Sequence, residues 1–415
     1  MGFTKIIHTA DVHLDSPLKS LALRNPDLRD RLQTASRAAF CKIIQTCIDE
    51  EVSALLISGD LFDGGERSAK TAAFLLSELD RLGEADVEVF YIKGNHDADN
   101  PNVGNIEFPN NVHVFDGRGG SKQLSDTNIY IHGVSFSGSK AIESLLPKFN
   151  TPIPNAINIA MLHTSLAGSE GHDVYAPCSV SELCNMGFDY WALGHIHKRE
   201  VHSETPMIIM PGMPQGRDIG ELGPKSATLL EISEGNISIS EVPTSIIEFQ
   251  KVQINVQGIE DDDNLREQIR SCLSVVSGSL KSEFGILRIE LVGQTERYWN
   301  ILRSQEIWKE TVKNILEPFG NLWLDKLQFE IIRPSSLQEY SGSALGEIET
   351  LMADLGSDPG INESISQVFE SINQELSASR RNILFQNEEA ENTFKRSLLQ
   401  KGVQEIIAGM KGGND

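Results

Sequence analysis

Cysteine is scarce in this sequence, and its few copies do not suggest pairs: Cys41, Cys47, Cys178, Cys184 and Cys272 are scattered through 415 residues and odd in number. A complete disulfide framework is thereby excluded, and a reducing compartment, the cytoplasm, is expected. No apolar run approaches the roughly 18 residues of a membrane span, so no transmembrane helix and no membrane role is expected. The opening Met1-Gly-Phe-Thr-Lys-Ile-Ile lacks the charged-then-apolar order of a signal peptide. Positive charge is also in short supply, with 36 Lys and Arg against 59 Asp and Glu, a net charge of −23. Such a chain does not attract phosphate backbones at long range. A nucleic-acid substrate would need local cations, metal ions or a partner to overcome that field. Nor is there a basic stretch interleaved with aromatics of the kind that binds single strands.

What is present is globular. Hydrophobic residues make up 40% and charged residues 23%, which excludes a disordered or collagen-like chain, and the length suits two or three domains. To about residue 245, short apolar runs alternate with helical patterns. Strands are expected at Lys5–Thr9, Ala54–Ser58, Val87–Ile92, Ile129–Val134, Ile157–Leu162 and Tyr190–Leu193. Helices are expected over 31–50 and Thr71–Leu82. This order predicts βαβ units in a layered α/β core. Short runs at Met207–Met210, Ala227–Ile232 and Ile237–Val242 leave no room for helices and predict antiparallel sheet. Over 246–335, alternating runs at Val252–Val256, Leu287–Leu291 and Leu327–Ile331 flank a helix from Leu265 to Val276 and another from Trp299 to Leu316, broken near Gln305. That is enough for a small separate α/β domain. Residues 336–415 carry no strand pattern. After breaks at Pro334-Ser-Ser and Ser341-Gly-Ser come two amphipathic stripes: Ile365, Val368, Phe369, Ile372 and Leu376, then Phe394, Leu398, Leu399, Val403, Ile406, Ile407 and Met410.

Five of the predicted strands end in polar clusters: Asp11-Val-His13, Gly59-Asp60-Leu-Phe-Asp63, Gly94-Asn95-His96-Asp97, His163-Thr-Ser and Gly194-His195-Ile-His197. The carboxyl ends of parallel strands are where α/β sheets build ligand sites. Asp11, His13, Asp60, Asn95, His96, His163, His195 and His197 are therefore expected to converge. Imidazole, carboxylate and amide oxygen without thiolate suit manganese, iron or zinc. Seven ligands and one spare imidazole are too many for one ion and suffice for two that share a carboxylate. Two ions roughly 3.5–4 Å apart clamp the attacking and leaving oxygens of phosphoester hydrolysis. Any one cluster alone reads as a cap or a solvated loop; five in order do not. Of the other histidines, His8 reads as core, His113, His132 and His202 as structural or exposed, and His172 as a candidate for the cleft wall.

The ordered set Asp-x-His, Gly-Asp-x-x-Asp, Gly-Asn-His-Asp, His and Gly-His-x-His resembles the calcineurin-like metallophosphoesterase superfamily. The opening His8-Thr-Ala-Asp-Val-His-Leu-Asp15, the run Ser58-Gly-Asp-Leu-Phe-Asp63 and the stretch Pro211-Gly-Met-Pro-Gln-Gly-Arg-Asp-Ile-Gly-Glu221 resemble its DNA-repair exonuclease branch of the SbcD and YhaO type. The resemblance implies a four-layer α/β sandwich with mixed sheets over 1–245 and, by architecture, a small α/β capping domain over 246–335; the helical tail over 336–415 is read from its stripes alone. It implies that Asp11, His13 and His197 hold one divalent ion, that Asn95, His163 and His195 hold the other, and that Asp60 bridges them. Manganese is the first expectation, with iron, zinc or magnesium as alternatives. His96 would stabilise the transition state or protonate the leaving 3′-oxygen. Asp97 either orients His96 or caps a helix, and Asp63 either bonds near the site or caps the next helix. Arg217 either contacts phosphate or forms a surface ion pair, and the other basic residues near the site are Lys198, Arg199 and Lys225.

The function expected is a cytoplasmic phosphodiesterase, a DNA exonuclease or endonuclease working with an SMC-like coiled-coil ATPase of the SbcC type. Pairing into a homodimer is what the family implies. A phosphoesterase on small nucleotides or phosphoproteins is the alternative enzyme, and an assembly subunit that regulates an ATPase is the alternative class. For the tail, folding back onto the chain, docking to a coiled-coil partner and disorder all stay open.

Overall fold

The computed structural model describes residues 3–16, 26–63, 69–99, 106–138, 141–166, 175–334, 347, 351, 359–375 and 388–410. The chain breaks expected at 335–336 and 341–343, together with His172, Leu376 and the side chain of Ile372, lie outside the described residues. By its contacts the chain forms two compact units. One is Met1–Lys251 with Val276–Arg288 and Asn321–Lys326; the other is Val252–Val275 with Ile289–Gly320 and Leu327–Asp415.

The first unit begins with strands and helices in alternation: β1 (Thr4–Thr9), α1 (Pro26–Asp49), β2 (Ala54–Ser58), α2 (Ala69–Glu84), β3 (Glu88–Ile92), the one-turn α3 (Asn95–Asp99) and β4 (Val112–Val114). There follow β5 (Gly120–Gln123), β6 (Ile129–Val134), β7 (Ile157–His163), α4 (Val180–Cys184), β8 (Tyr190–Gly194), β9 (Glu200–Glu204), β10 (Met207–Met210), β11 (Ser226–Ser233) and β12 (Asn236–Pro243). The strands form two six-stranded mixed sheets, ordered β12-β11-β1-β2-β3-β4 and β5-β6-β7-β8-β10-β9. β1, β2, β3 and β4 run parallel, with β11 and β12 antiparallel at one side. In the second sheet β6, β7, β8 and β10 run parallel, and β5 and β9 close the edges antiparallel.

Apolar patterning explains the layers. β2 and β7 are buried throughout, as strands covered on both faces must be. Ile7, Leu55, Ile57, Val89 and Tyr91 pack against Phe40, Ile43, Ile44 and Cys47 of α1 and Leu75, Leu79 and Leu82 of α2. The opposite face of that sheet, with Ile6, Leu56, Phe90 and Ile92, packs on Ile131, Ile159, Met161 and Tyr190 of the second sheet. The outer face of the second sheet, with Leu162, Trp191 and Ile208, is covered by Leu183 of α4 and by Leu145, Leu146, Phe149 and Phe188. The result is four layers, helix–sheet–sheet–helix. His8 crosses the middle: its Nε2 donates to the Leu193 carbonyl and its Nδ1 accepts from the Tyr190 hydroxyl, each at 3.0 Å. Burial pushes its pKa down to about 3, so the ring is neutral and structural.

Next come β13 (Ile247–Asn255), α5 (Asp262–Ser279), β14 (Phe284–Gln294), α6 (Tyr298–Arg303), α7 (Gln305–Leu316) and β15 (Leu322–Ile332), with a sheet ordered β13-β14-β15. The expected helix break near Gln305 falls at Ser304, which separates α6 from α7. In the second unit Leu265, Ile269 and Leu273 of α5 and Trp308, Val312 and Ile315 of α7 are buried. Among the described residues that unit also holds α8 (Pro359–Glu375) and α9 (Glu388–Met410). α9 packs on α6 with Ile407 and Ala408 buried, and its Phe394 ring stands 6.1 Å from Phe369 of α8. Among the described residues no helix is long and apolar enough to cross a membrane.

Candidate metal centre

The carboxyl ends of β1, β2, β3, β7 and β8 meet at one edge of the sandwich, so the five motifs come from both sheets. Asp11, His13, Asp60 and His163 are almost fully buried, at 0%, 1%, 2% and 0% exposure, and His195 is buried as well. Their backbones are unusual. Asp11, His13, Asp60 and His195 have φ of 51°, 45°, 50° and 102°, in the left-handed region that L residues avoid. Such strain costs on the order of 1–3 kcal/mol per residue and persists where function holds it. Glycines make the approach possible. A Cβ on Gly59, at φ +94°, would lie 2.4 Å from His163 Nδ1, and one on Gly94 would lie 2.2 Å from Asp60 Oδ1.

The donor atoms converge at short range. His163 Nδ1 lies 2.9 Å from the Ser58 carbonyl, which only accepts, so Nδ1 carries a proton. Its Nε2, where a cation can replace a second proton, faces Asn95 Oδ1 at 3.1 Å and Asp60 Oδ2 at 3.4 Å. His13 Nε2 faces His197 Nε2 at 3.3 Å and Asp60 Oδ2 at 4.0 Å, and His197 Nε2 lies 3.9 Å from Asp11 Oδ1. Ligand atoms each about 2.0–2.2 Å from one ion stand roughly 3–3.5 Å apart, which is the spacing of three of these five pairs; the other two, at 4.0 and 3.9 Å, are wider. Asp11–His13–His197, His13–Asp60–His96 and Asp11–Asp60–His163 are each arranged so that they could hold a cation.

The electrostatics agree. Burial pushes the His163 imidazole down, but Asp60 and Asp11 beside it outweigh burial and lift it to about 9. Burial raises the Asp60 carboxyl, yet the His163 and His13 rings hold it below the usual carboxylate range. A pocket that draws a proton onto a buried imidazole draws a cation for the same reason. Its nitrogen and oxygen donors, free of thiolate, fit divalent metal ions.

Around these donors, His96 Nδ1 lies 3.2 Å from Asp63 Oδ1. That hydrogen bond raises the His96 pKa against the opposing pull of burial, and Asp60 adds to the rise. The His96 backbone N–H also donates to Asp60 Oδ1 at 2.9 Å. Of the two readings of Asp97, the structure displays the cap: its carboxylate accepts from the N–H groups of Gly94, Leu61 and Phe62 at 3.0, 3.3 and 2.9 Å. It thus ties the start of α3 to the Asp60 loop, while the hydrogen bond to the His96 ring belongs to Asp63. His195 donates its backbone N–H to Asp11, and its ring stands 5.1 Å from that of His163.

Arg217 is brought to the same place. Its Nη2 lies 3.2 Å from both His197 Nδ1 and Glu221 Oε1. Glu221 is the residue that sequence reasoning missed as a site residue, although it closes the quoted stretch from Pro211. Its Oε1 lies 2.8 Å from His197 Nδ1. Burial pushes its carboxyl up, but the His197 hydrogen bond and the Arg217 charge hold it down to about 2. Two of the other nearby basic residues are engaged, Arg199 with Glu241 and Thr228 and Lys225 with the Leu222 carbonyl, while Lys198 is exposed.

Comparisons with known proteins identify the family. The family described as calcineurin-like phosphoesterase matches residues 4–199, and the middle domain of the metallophosphoesterase YhaO matches residues 249–332. The chain is 34% identical over 278 residues to the uncharacterized metallophosphoesterase YhaO of Bacillus subtilis, covering 65% of this chain and 67% of that protein. The chain belongs to the calcineurin-like metallophosphoesterases. This metallophosphoesterase is also similar to proteins described as DNA double-strand break repair protein Mre11. It is 29% identical over 293 residues to that of Sulfurisphaera tokodaii, covering 65% of this chain and 69% of that one. It is 22% identical over 389 residues to that of Saccharolobus solfataricus, covering 88% and 98%. The family and the donor clusters together make the protein a metal-dependent phosphoesterase.

Proposed function

We propose that this metallophosphoesterase is a two-ion phosphodiesterase that cleaves DNA, as an exonuclease or endonuclease in DNA repair. The observation that carries the two-ion reading is the place of Asp60, whose Oδ2 lies between His163 Nε2 at 3.4 Å and His13 Nε2 at 4.0 Å, one ring from each ligand set. Asp11, His13 and His197 hold one ion, Asn95, His163 and His195 the other, and Asp60 spans both. The ions, when bound, supply a nucleophile at neutral pH and charge stabilisation for the phosphoryl oxygens. His96, kept protonated by Asp63, donates a hydrogen bond or a proton to the leaving oxygen. Arg217, at the rim beside His197, meets the phosphate, which a guanidinium fits in bidentate fashion.

DNA as the substrate is supported by the likeness to Mre11 proteins and by a cavity of about 460 Å³ at the ends of β3, β4 and β6, lined by Lys93, Phe115, Ser135, Phe136 and Ser137 among others. Phe136 stands edge-on to His163, with ring centroids 5.6 Å apart, so the cavity adjoins the donors. A space of that size takes a nucleotide; Lys93 places a cation there beside the carboxylates of Asp97 and Asp116. The test is cleavage of linear duplex and single-stranded DNA beside a small ester, bis(p-nitrophenyl) phosphate. Both DNA forms or one of them should be cut, chelator should abolish activity, and manganese should restore it better than magnesium. Full activity in chelator ends the two-ion model. Hydrolysis of the small ester with no cleavage of either DNA ends the nuclease reading.

A role beside a coiled-coil ATPase is favoured by α9. Although Ile407 and Ala408 are buried, Phe394, Leu398, Ile406 and Met410 remain 43–53% exposed, the kind of anchors a helix offers to a partner helix. Such a partner would supply the DNA-attracting surface this acidic chain lacks. Replacing Phe394, Leu398 and Met410 by Ser should leave small-ester hydrolysis and the melting temperature unchanged and abolish co-purification with the ATPase. Retained co-purification would place the contact elsewhere.

A further inference from the structure

We infer that Glu221 is a positioning residue of the metal centre: its carboxylate fixes the tautomer and aim of His197 and holds Arg217 to the same ring. The inference rests on the two-ion reading and deepens it. Glu221 Oε1 lies 2.8 Å from His197 Nδ1 and 3.2 Å from Arg217 Nη2, while Oε2 accepts the Arg217 backbone N–H at 2.6 Å. A carboxylate only accepts, and it lies nearer to Nδ1 of His197 than the Arg217 guanidinium does, 2.8 against 3.2 Å, so Nδ1 carries the proton and Nε2 keeps its lone pair. That lone pair is the one that faces His13 Nε2 at 3.3 Å, inside the donor cluster. A carboxylate behind a ligating imidazole both orients the ring and strengthens it as a donor.

His197 needs this support more than its neighbours do. Packing immobilises the side chains of His13 and His163, which are 1% and 0% exposed, whereas that of His197 is 21% exposed at the rim. The segment that carries Glu221 is itself anchored to the His197 backbone. The Met213 N–H donates to the His197 carbonyl at 3.1 Å, and at Gly212, with φ +72°, a Cβ would lie 2.7 Å from that same oxygen. A turn at Asp218 then presents the carboxylate: its side chain accepts from the Gly220 N–H at 2.8 Å and its carbonyl from the Glu221 N–H at 3.0 Å. Glu221 therefore reaches across 24 residues of sequence to one ligand of one ion. Its partner His197 is grouped with Asp11 and His13, so the effect of Glu221 should be confined to that ion.

That asymmetry is the test. Manganese is titrated calorimetrically into the ion-stripped full-length protein. Wild type should bind two ions. Glu221→Ala should weaken one of them by about 10–100-fold and leave the other unchanged, with an unaltered ion-free melting temperature. Glu221→Gln, which keeps an accepting oxygen but not the charge, should fall between and serves if the Ala variant does not fold. Adding Glu221→Ala to His197→Ala should weaken binding no further, since the two act through one ligand. Unchanged affinities in Glu221→Ala, or an equal loss at both ions with a lowered ion-free melting temperature, would overturn the inference and make Glu221 a turn-forming residue only, leaving the two-ion reading intact. A wild type that binds a single ion would overturn that reading and this inference with it.

Discussion

His96→Ala is expected to bind both ions as tightly as wild type and to hydrolyse phosphodiesters about two to four orders of magnitude more slowly, the usual range for loss of a general acid. The expectation comes from what the ring touches. His96 Nδ1 is taken by Asp63 at 3.2 Å, and that bond lifts the pKa of the ring above its ordinary value. A histidine so held keeps its proton to higher pH than an ordinary imidazole does. Its side chain is 39% exposed, unlike the buried ligands, so it faces the substrate side. Yet His13, Asp60 and His96 also converge closely enough to hold a cation, so the geometry offers His96 two roles. Metal analysis separates them: a His96→Ala protein stripped of an ion would make His96 a ligand, and a slow protein with both ions makes it the acid. Asp63→Asn should reproduce part of the rate loss with both ions retained, because it removes the charge that holds the His96 proton.

The sequence made the ladder of the sandwich readable because its inner strands carry short apolar runs, such as Leu-Leu-Ile of β2 and Val-Phe-Tyr-Ile of β3. Ala54–Ser58, Ile129–Val134 and Met207–Met210 are strands with the expected bounds, and the other predicted strands of the first unit differ by a residue or so at their ends. What went unread has a physical reason. β5, Gly-Ser-Lys-Gln, has no apolar residue, β9, Glu-Val-His-Ser-Glu, has one, and both lie at an edge of the second sheet where little is buried. β4 is three residues long and also an edge strand. α3 is a single turn, too short for periodicity, and it alone decides that Asp97 caps Gly94 while Asp63 takes the His96 ring. The motif series pointed to one edge, but no local pattern tells that β1–β3 and β7–β8 lie in separate sheets. Glu221 was hidden for a related reason: its partner His197 is 24 residues away and only tertiary folding brings them to 2.8 Å.

Asp60→Asn should abolish the rise in melting temperature that manganese gives the wild type. A ligand that binds only the folded state stabilises it by about 2.7 kcal/mol at a hundredfold excess over its Kd, so a well-formed centre should show a large shift. Asp60 is the residue on which that shift depends most. It is 2% exposed, its Oδ2 lies 3.4 Å from His163 Nε2 and 4.0 Å from His13 Nε2, and those two rings belong to different donor groups. On the proposed assignment, removing any other ligand leaves one ion's set complete, whereas removing the Asp60 charge reduces both. Asn is the informative replacement because it is nearly isosteric and its amide oxygen still accepts the His96 N–H, now 2.9 Å from Oδ1. The loop and the start of α3 are then preserved, and the Gly94 cradle, where a Cβ would meet Oδ1 at 2.2 Å, is not crowded further. What is lost is negative charge in a buried site, where a carboxylate attracts a divalent ion far more strongly than an amide does. Activity should fall below detection with the ion-free melting curve still cooperative. A wild-type-like manganese shift in Asp60→Asn would mean that the two donor groups do not share this carboxylate, and the bridging role would have to be given up.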